Sequence, residues 1–231
     1  MRLRMAYAKM DDAKYIAHLD LMRVFERALR RAEIPVAYTE GFNPRPKISF
    51  GFALAVGVEG EAEYVDVEIR GEPDIEEVLG GLQKQLPPGI RLLRGQLLTA
   101  GAKPLMAVLN RAAYRLRLPL TEPVQQERLR EAVDHWLGRE QVMYSRFTKK
   151  GPADKDIRPW VKSLAGEIRD GEIIFDMEIE LGNAGSVRPE EVIAGLKELE
   201  NLPLDLDGLG MRRTGVYVSG RGEKQTPFEG N

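Results

Sequence analysis

The chain has 231 residues, with 43% hydrophobic and 30% charged residues, a net charge of −2 and no cysteine. That length holds one large domain or two of roughly 100–130 residues, and the composition is globular rather than disordered or fibrous. The absence of cysteine excludes disulfides, Cys–zinc sites, thiol nucleophiles and any iron–sulfur cluster held by this chain's own thiolates, and two histidines, His18 and His135, make no His-rich metal site.

Leu3, Met5 and Tyr7 alternate with Arg2, Arg4 and Ala6, which predicts a strand. Ala17 to Ala32 has helical spacing, with Leu21, Phe25, Ala28, Leu29 and Ala32 on one face and Arg23, Arg27, Arg30 and Arg31 opposite. Pro35 ends that helix. Val36 to Tyr38 start a strand, interrupted by Gly41-Phe42-Asn43-Pro44-Arg45-Pro46-Lys47, and Ile48 to Val56 resume apolar character. Glu63 to Ile69 alternate, with Val65, Val67 and Ile69 inward and Asp66 and Glu68 outward. Pro73-Asp74 opens a second helix carrying Ile75, Val78, Leu79, Leu82 and Leu86, Pro87-Pro88-Gly89 stops it, and Ile90 to Leu98 read as a strand.

After a linker at 100–110 the order repeats. Ala113 to Leu120 predict a strand, Gln125 to Leu137 a helix, Val142 to Phe147 a strand and Ile173 to Leu181 an alternating strand. Pro189 begins a helix with Val192, Ile193, Leu196 and Leu199, and Gly210 to Val218 supply the last strand. The expected fold is α+β: two tandem ferredoxin-like β-α-β-β-α-β modules at 1–99 and 111–218, with a flexible tail at 219–231. Charge follows the same division. Residues 1–50 carry 10 Lys/Arg against 6 Asp/Glu and 51–110 carry 5 against 9; residues 111–170 carry 13 against 9 and 171–231 carry 6 against 12.

The loop from Gly41 to Gly51 is the most informative local feature. Two prolines bracket Arg45 and hold the backbone extended, which lowers the entropy lost when Arg45 or Lys47 binds. Basic side chains on a stiff loop with Phe42 and Asn43 beside them suit phosphate contact with base stacking, and a structural hairpin with solvated charges is the alternative. Lys149, Lys150, Lys155, Arg158 and Lys162, near Trp160, form a weaker echo diluted by Asp154 and Asp156. Arg212 lies in the Gly-rich stretch 208–215, which lacks the strand-then-helix order of a dinucleotide or P-loop site. No nucleotide cofactor is expected, and phosphate binding to its backbone amides is a minor alternative. His18, Tyr15 or Tyr38, and Lys47 have the chemistry for metal-independent RNA cleavage if folding gathers them; a hydrogen-bonded helix-start histidine is the simpler reading. The pairs Asp66/Glu68 and Asp176/Glu178 are explained by strand alternation, so neither catalytic nor metal-binding residues are assigned. Glu26 and Arg30 offer an i,i+4 pair.

Three stretches, Tyr15-Ile16-Ala17-His18-Leu19-Asp20-Leu21-Met22-Arg23, Tyr38 through Gly51, and Asp156-Ile157-Arg158-Pro159, resemble a bacterial family of radical SAM-linked proteins of unknown function. Its members lie beside or fused to a radical SAM enzyme, often near genes for an E/G-type ribonuclease and ribosomal proteins. The resemblance implies a radical SAM enzyme and RNA (ribosomal or transfer) as partners. It carries no known catalytic residues. The cluster chemistry would belong to the partner, because this chain has no thiolates. The tandem layout with a late Gly-rich segment is also similar in architecture to CRISPR repeat-processing endoribonucleases.

The resulting expectation is a non-catalytic RNA-binding adaptor without cofactor, contacting RNA through Arg45, Lys47, Phe42, Asn43, Arg158 and Arg212. The alternatives are a docking module for the same enzyme without RNA contact and the metal-independent endoribonuclease. No stretch reaches the roughly 18–20 apolar residues of a membrane helix and no signal-peptide core follows Met1, so a cytoplasmic protein without membrane contact is expected.

Overall fold

Strand β1 (Arg2–Lys9) is buried on both faces along nearly its whole length, so its neighbours set the architecture around it. In the computed structural model, which describes residues 1–99, 101–148, 151–182, 185–220 and 223–229, the chain is α+β and forms two compact units. Unit 1 comprises Met1–Leu109 and Arg213–Asn231, and unit 2 comprises Asn110–Arg212.

In unit 1, β1 is followed by helix α1 (His18–Arg31), β2 (Ile48–Phe50), β3 (Glu59–Glu68), α2 (Ile75–Gln83), β4 (Ile90–Leu98) and the short α3 (Leu105–Val108). β1 lies between β3 and β4, antiparallel to both, with Leu3 opposite Val67 and Leu97. β2 pairs antiparallel with the far side of β3, with Phe50 opposite Val65. The order runs β4-β1-β3, and β10 (Gly210–Gly220) also pairs with β3, on the side where β2 does. Leu3, Met5 and Tyr7 point to the face where α1 and α2 pack, against Phe25, Leu29, Val78 and Leu82. Each such side chain, fully buried, contributes roughly 1.5–3 kcal/mol. The rings of Tyr7, Phe25 and Phe50 meet edge to face at 5.2 Å (Tyr7–Phe25) and 5.3 Å (Phe25–Phe50), a geometry the ring quadrupoles favour. The predicted apolar face of α1 is the buried one, except that Ala32 lies past the helix end and is half-buried. Asp74 caps α2 by accepting from the Glu76 and Glu77 amides at 2.8 and 3.1 Å.

Three expectations change here. The apolar run after Ile48 is a strand only to Phe50. Asp66 does not face solvent. It is 4% exposed and paired with the fully buried Arg4, because chain from 103 and from 227 covers that side of the sheet. The described parts of the linker and tail are seated as well. Leu105 and Leu109 are buried, β11 (Glu223–Gln225) pairs with the end of β10 (Gly210–Gly220), and Phe228 packs on the Tyr64 ring at 5.6 Å.

Gly89 turns the chain into β4 at φ +81°, and a Cβ there would stand 2.5 Å from the Met10 carbonyl oxygen and 2.8 Å from the Ala13 Cβ. Left-handed backbone plus a clash with main chain predicts that Gly89→Ala destabilises the protein by about 1–3 kcal/mol or more, read as a lowered urea midpoint. An unchanged midpoint would show that the Met10–Ala13 turn can yield.

Unit 2 contains β5 (Arg111–Pro119), α4 (Gln126–Gly138), β6 (Met143–Thr148), β7 (Gly151–Asp156), β8 (Val161–Arg169), β9 (Glu172–Glu180) and α5 (Pro189–Glu200). β9 lies between β5 and β8, antiparallel to both. Leu129, Ala132 and Trp136 of α4 are buried, as are Ile173, Phe175 and Met177 of β9 and Ile193 and Leu196 of α5. β7, which the periodicity does not reveal, forms a separate two-stranded hairpin with β6. β8 escapes the periodicity because a bulge between Val161 and Ser163 shifts its register. The Asp170-Gly171 turn that joins it to β9 has φ of 51° and 80°, the positive values a two-residue hairpin turn requires. The units divide within β10, whose residues from Arg213 onward belong to unit 1, whereas the pattern reading assigns 111–218 to one module. Among the described residues, no helix is long and apolar enough to cross a membrane.

Candidate nucleic-acid interface

The loop between Tyr38 and Lys47 is a pinned hairpin. Tyr38 bridges Pro46, the Thr39 amide donates to the Arg45 carbonyl at 2.9 Å, and the Arg45 amide donates to Thr39 Oγ1 at 3.0 Å. The Lys47 amide closes the neck on the Ala37 carbonyl at 2.8 Å. At the tip, Gly41 takes φ +121°, open to glycine and strained for other residues, and Phe42 next to it is 105% exposed. A fully exposed phenylalanine on a fastened loop gains nothing for folding. It is held where a planar partner can reach it.

Between this loop and α1 lies a cleft of about 360 Å³, with Met22 and Glu26 from the helix, Arg45 and Lys47 from the loop, Ser49 from β2 and Glu68 from β3. Lys47 Nζ pairs with Glu68 Oε2 at 3.2 Å, both about two-fifths exposed, an ion pair of small worth that a ligand can open. The Arg45 side chain is exposed and makes no ion pair or hydrogen bond among the described residues. Arg27, Arg30 and Arg31 of α1 are exposed and likewise unpaired among the described residues, while Arg23 is held by Asp20 at 3.0 Å. Glu26 makes no ion pair with Arg30 there; it faces the cleft instead. Helical periodicity sets Met22, Glu26 and Arg30 in one row and Arg23, Arg27 and Arg31 in the next, so the basic stripe borders the cleft.

The other predicted residues do not line the cleft. Asn43 is exposed beside Phe42 at the hairpin tip. Arg158 is committed to structure: Nε and Nη2 donate to the Leu137 carbonyl at 3.0 and 2.7 Å, and Nη1 to the Val161 carbonyl at 2.9 Å, closing the C-terminal end of α4. Arg212 is half-buried with interactions of its own in β10. Gly210 and Gly215 lie within that strand, not in an open anion-binding loop. Lys149 and Lys150 lie outside the described residues. Lys155 sits over the Trp160 ring and donates to the Ser186 carbonyl, burial pulling its pKa down, and Lys162 pairs with Glu180. Asp176 pairs with Arg115 and Glu178 with Arg111.

The residues of the ribonuclease alternative each have separate surroundings. The His18 ring rests edge-on against Phe50 at 5.6 Å, and the exposed Tyr15 lies under Lys14. Among the described residues, no hydrogen bond or ion pair joins His18, Tyr15, Tyr38 and Lys47.

Pattern reading missed a buried ionic centre in unit 1. Arg213, 2% exposed, donates to Glu63 through Nε at 2.8 Å and Nη2 at 2.5 Å, and to the Phe52 carbonyl at 2.7 Å. Lys9, 1% exposed, donates to the Lys14 carbonyl at 3.1 Å. Burial pulls the Lys9 pKa down against the attraction of Glu63, and burial with the Glu63 charge raises Tyr7 well above its ordinary value. The only sequence signal is charge inside otherwise apolar strands.

The fold is similar to that of a chain in the crystal structure of a Cbf5-Nop10-Gar1 complex, with a TM-score of 0.53 and 11% identity over 91% of this chain and 48% of that one. A chain of an archaeal box H/ACA sRNP Nop10-Cbf5 complex gives 0.46 at 11% identity, covering 90% of this chain and 46% of that one. An unknown protein from Galdieria sulphuraria gives 0.27 at 12%, covering 92% and 96%. The chain thus spans about half the length of the first solved chains it matches, and the likeness to the Cbf5-Nop10-Gar1 chain is one of fold alone. None of the curated proteins matches it. A family match over residues 2–189 takes in most of both units, and the chain belongs to that family, the uncharacterized proteins conserved in bacteria of DUF2344.

Proposed function

We propose that this chain is a non-catalytic RNA-binding adaptor that uses the α1 stripe and the 38–47 hairpin to hold RNA for a partner radical SAM enzyme. The observation that carries the RNA reading is the juxtaposition of Arg45 and fully exposed Phe42 on a fastened hairpin with arginines on the neighbouring helix face, none of these guanidinium groups paired among the described residues except Arg23. Guanidinium groups suit phosphate oxygens and an exposed ring suits an unstacked base. The family resemblance and the absence of cysteine support a partner that supplies the cluster chemistry. The path β4-β1-β3 with β2 also paired to β3, and helices between strands in the β-α-β-β-α-β sequence, supports a ferredoxin-like first module, and β5-β9-β8 supports a related second one.

Binding to total cellular RNA should weaken with salt. In the Arg45→Ala/Lys47→Ala protein the slope of log K against log salt should flatten by about 0.7 for each phosphate of single-stranded RNA that the protein no longer neutralises. No RNA binding at low salt, with stable capture of the partner enzyme, would turn the assignment to a protein-docking module.

A further inference from the structure

The cleft beside the hairpin is not a simple phosphate site. Arg45 and Lys47 are balanced there by Glu26 and Glu68, and Lys47 is already engaged by Glu68. Among the described residues, what remains is one free cation, Arg45, and one free carboxylate, Glu26, with the Ser49 and Thr39 side chains and the apolar flanks of Met22 and Ile48. Its volume of about 360 Å³ lies at the low end of the roughly 300–1,000 Å³ typical of small-ligand sites, room for one nucleotide rather than a folded segment.

The chemistry of the free groups selects among nucleotides. A carboxylate only accepts hydrogen bonds. Among the four RNA bases, guanine alone presents two adjacent donors on its Watson–Crick edge, N1–H and the N2 amine, which match the two oxygens of a carboxylate. Adenine and cytosine offer a donor beside an acceptor, and uracil a donor between two acceptors. An acceptor set against a carboxylate is repelled and left unsatisfied. Single-stranded RNA is read on these edges once its bases are unstacked, and Phe42, on the same hairpin as Arg45, is placed for a neighbouring base to stack.

We propose that this cleft is a guanine subsite for single-stranded RNA, with Glu26 reading the base edge and Arg45 holding the phosphate. The proposal rests on the RNA-binding reading above and specifies its ligand.

The test is the affinity of the full chain for short oligouridylates carrying one central G, inosine, A or C, measured by fluorescence anisotropy at fixed salt. The guanine oligomer should bind about tenfold tighter than the A, C and all-U oligomers, the discrimination of one bidentate base contact. Inosine, lacking the N2 amine, should fall between. Glu26→Gln, isosteric and on the helix surface, should abolish most of the guanine preference, read as the ratio of guanine-oligomer to all-U affinity, a ratio that a uniform change in charge does not move. Equal binding of all oligomers, or an intact guanine preference in Glu26→Gln, would overturn the subsite and leave the RNA reading standing. Absence of binding to every oligomer at low salt would overturn both.

Discussion

Arg213→Ala is expected to cost about 3–5 kcal/mol of folding stability, the range for removing one partner of a buried ion pair. The guanidinium is 2% exposed and Glu63 4% exposed, so water does not screen the pair. Its donors also satisfy the Phe52 and Ala53 carbonyls at 2.7 and 3.3 Å. Truncation leaves the Glu63 carboxylate buried without its cation, and two carbonyls lose their donor. Lys9 offers only part of a replacement, since one of its three ammonium donors is held by the Lys14 carbonyl. The cost is therefore the desolvation of a stranded charge more than the missing attraction, and a second variant separates the two. Arg213→Met with Glu63→Met removes both charges together and should lie closer to wild type than either single replacement. Urea denaturation at an unchanged m-value reads all of these. A loss below about 1 kcal/mol in Arg213→Ala would show that water reaches Glu63 and that the centre is not sealed.

Arg4→Ala should cost a similar amount, about 3–5 kcal/mol, and do something Arg213→Ala does not. Arg4 is bidentate to Asp66 at 2.8 and 2.9 Å and also donates to the Pro227 carbonyl at 2.7 Å and the Lys103 carbonyl at 3.0 Å. One side chain thus ties the sheet to the connection after β4 and to the last turn of the chain. Its removal should release the 226–229 turn and Phe228 from the Tyr64 ring, seen as amide exchange rising there before global unfolding. The exposed pair Asp20–Arg23, with side chains 59% and 66% accessible, is the control, and Arg23→Ala should stay within about 0.5 kcal/mol of wild type. If Arg4→Ala lowered global stability without faster exchange at the C-terminal turn, the turn would be held by Phe228 and the β11 pairing rather than by Arg4.

The candidate interface was legible in part. Gly41, Pro44 and Pro46 mark a stiff, tight loop, and Arg45 and Phe42 are both exposed at its surface. Glu26 was not legible as a cleft residue. Its spacing to Arg30 is that of a helix ion pair, and only the position of the hairpin turns that helix row toward a cleft. Arg158 misled in the opposite direction. Its place in a basic run signals an open surface, yet the end of α4 leaves the Leu137 carbonyl unpaired and Arg158 is the donor that reaches it.

By itself the sequence determined the elements whose periodicity one packed face imposes. α1, α2, α4, α5, β1, β5 and β9 follow from apolar residues at helical or alternate spacing, because each must turn that face to a core. Only the tertiary structure decided what covers the other face. Asp66 and Arg4 sit where alternation predicts solvent, and they are buried because Pro227, 223 positions along the chain from Arg4, closes over them. Arg213 belongs with Glu63, 150 positions away, rather than with the glycines beside it. A local pattern records one burial constraint per residue. A charge buried by distant chain satisfies a second constraint, and its partner lies too far along the chain for spacing to reveal.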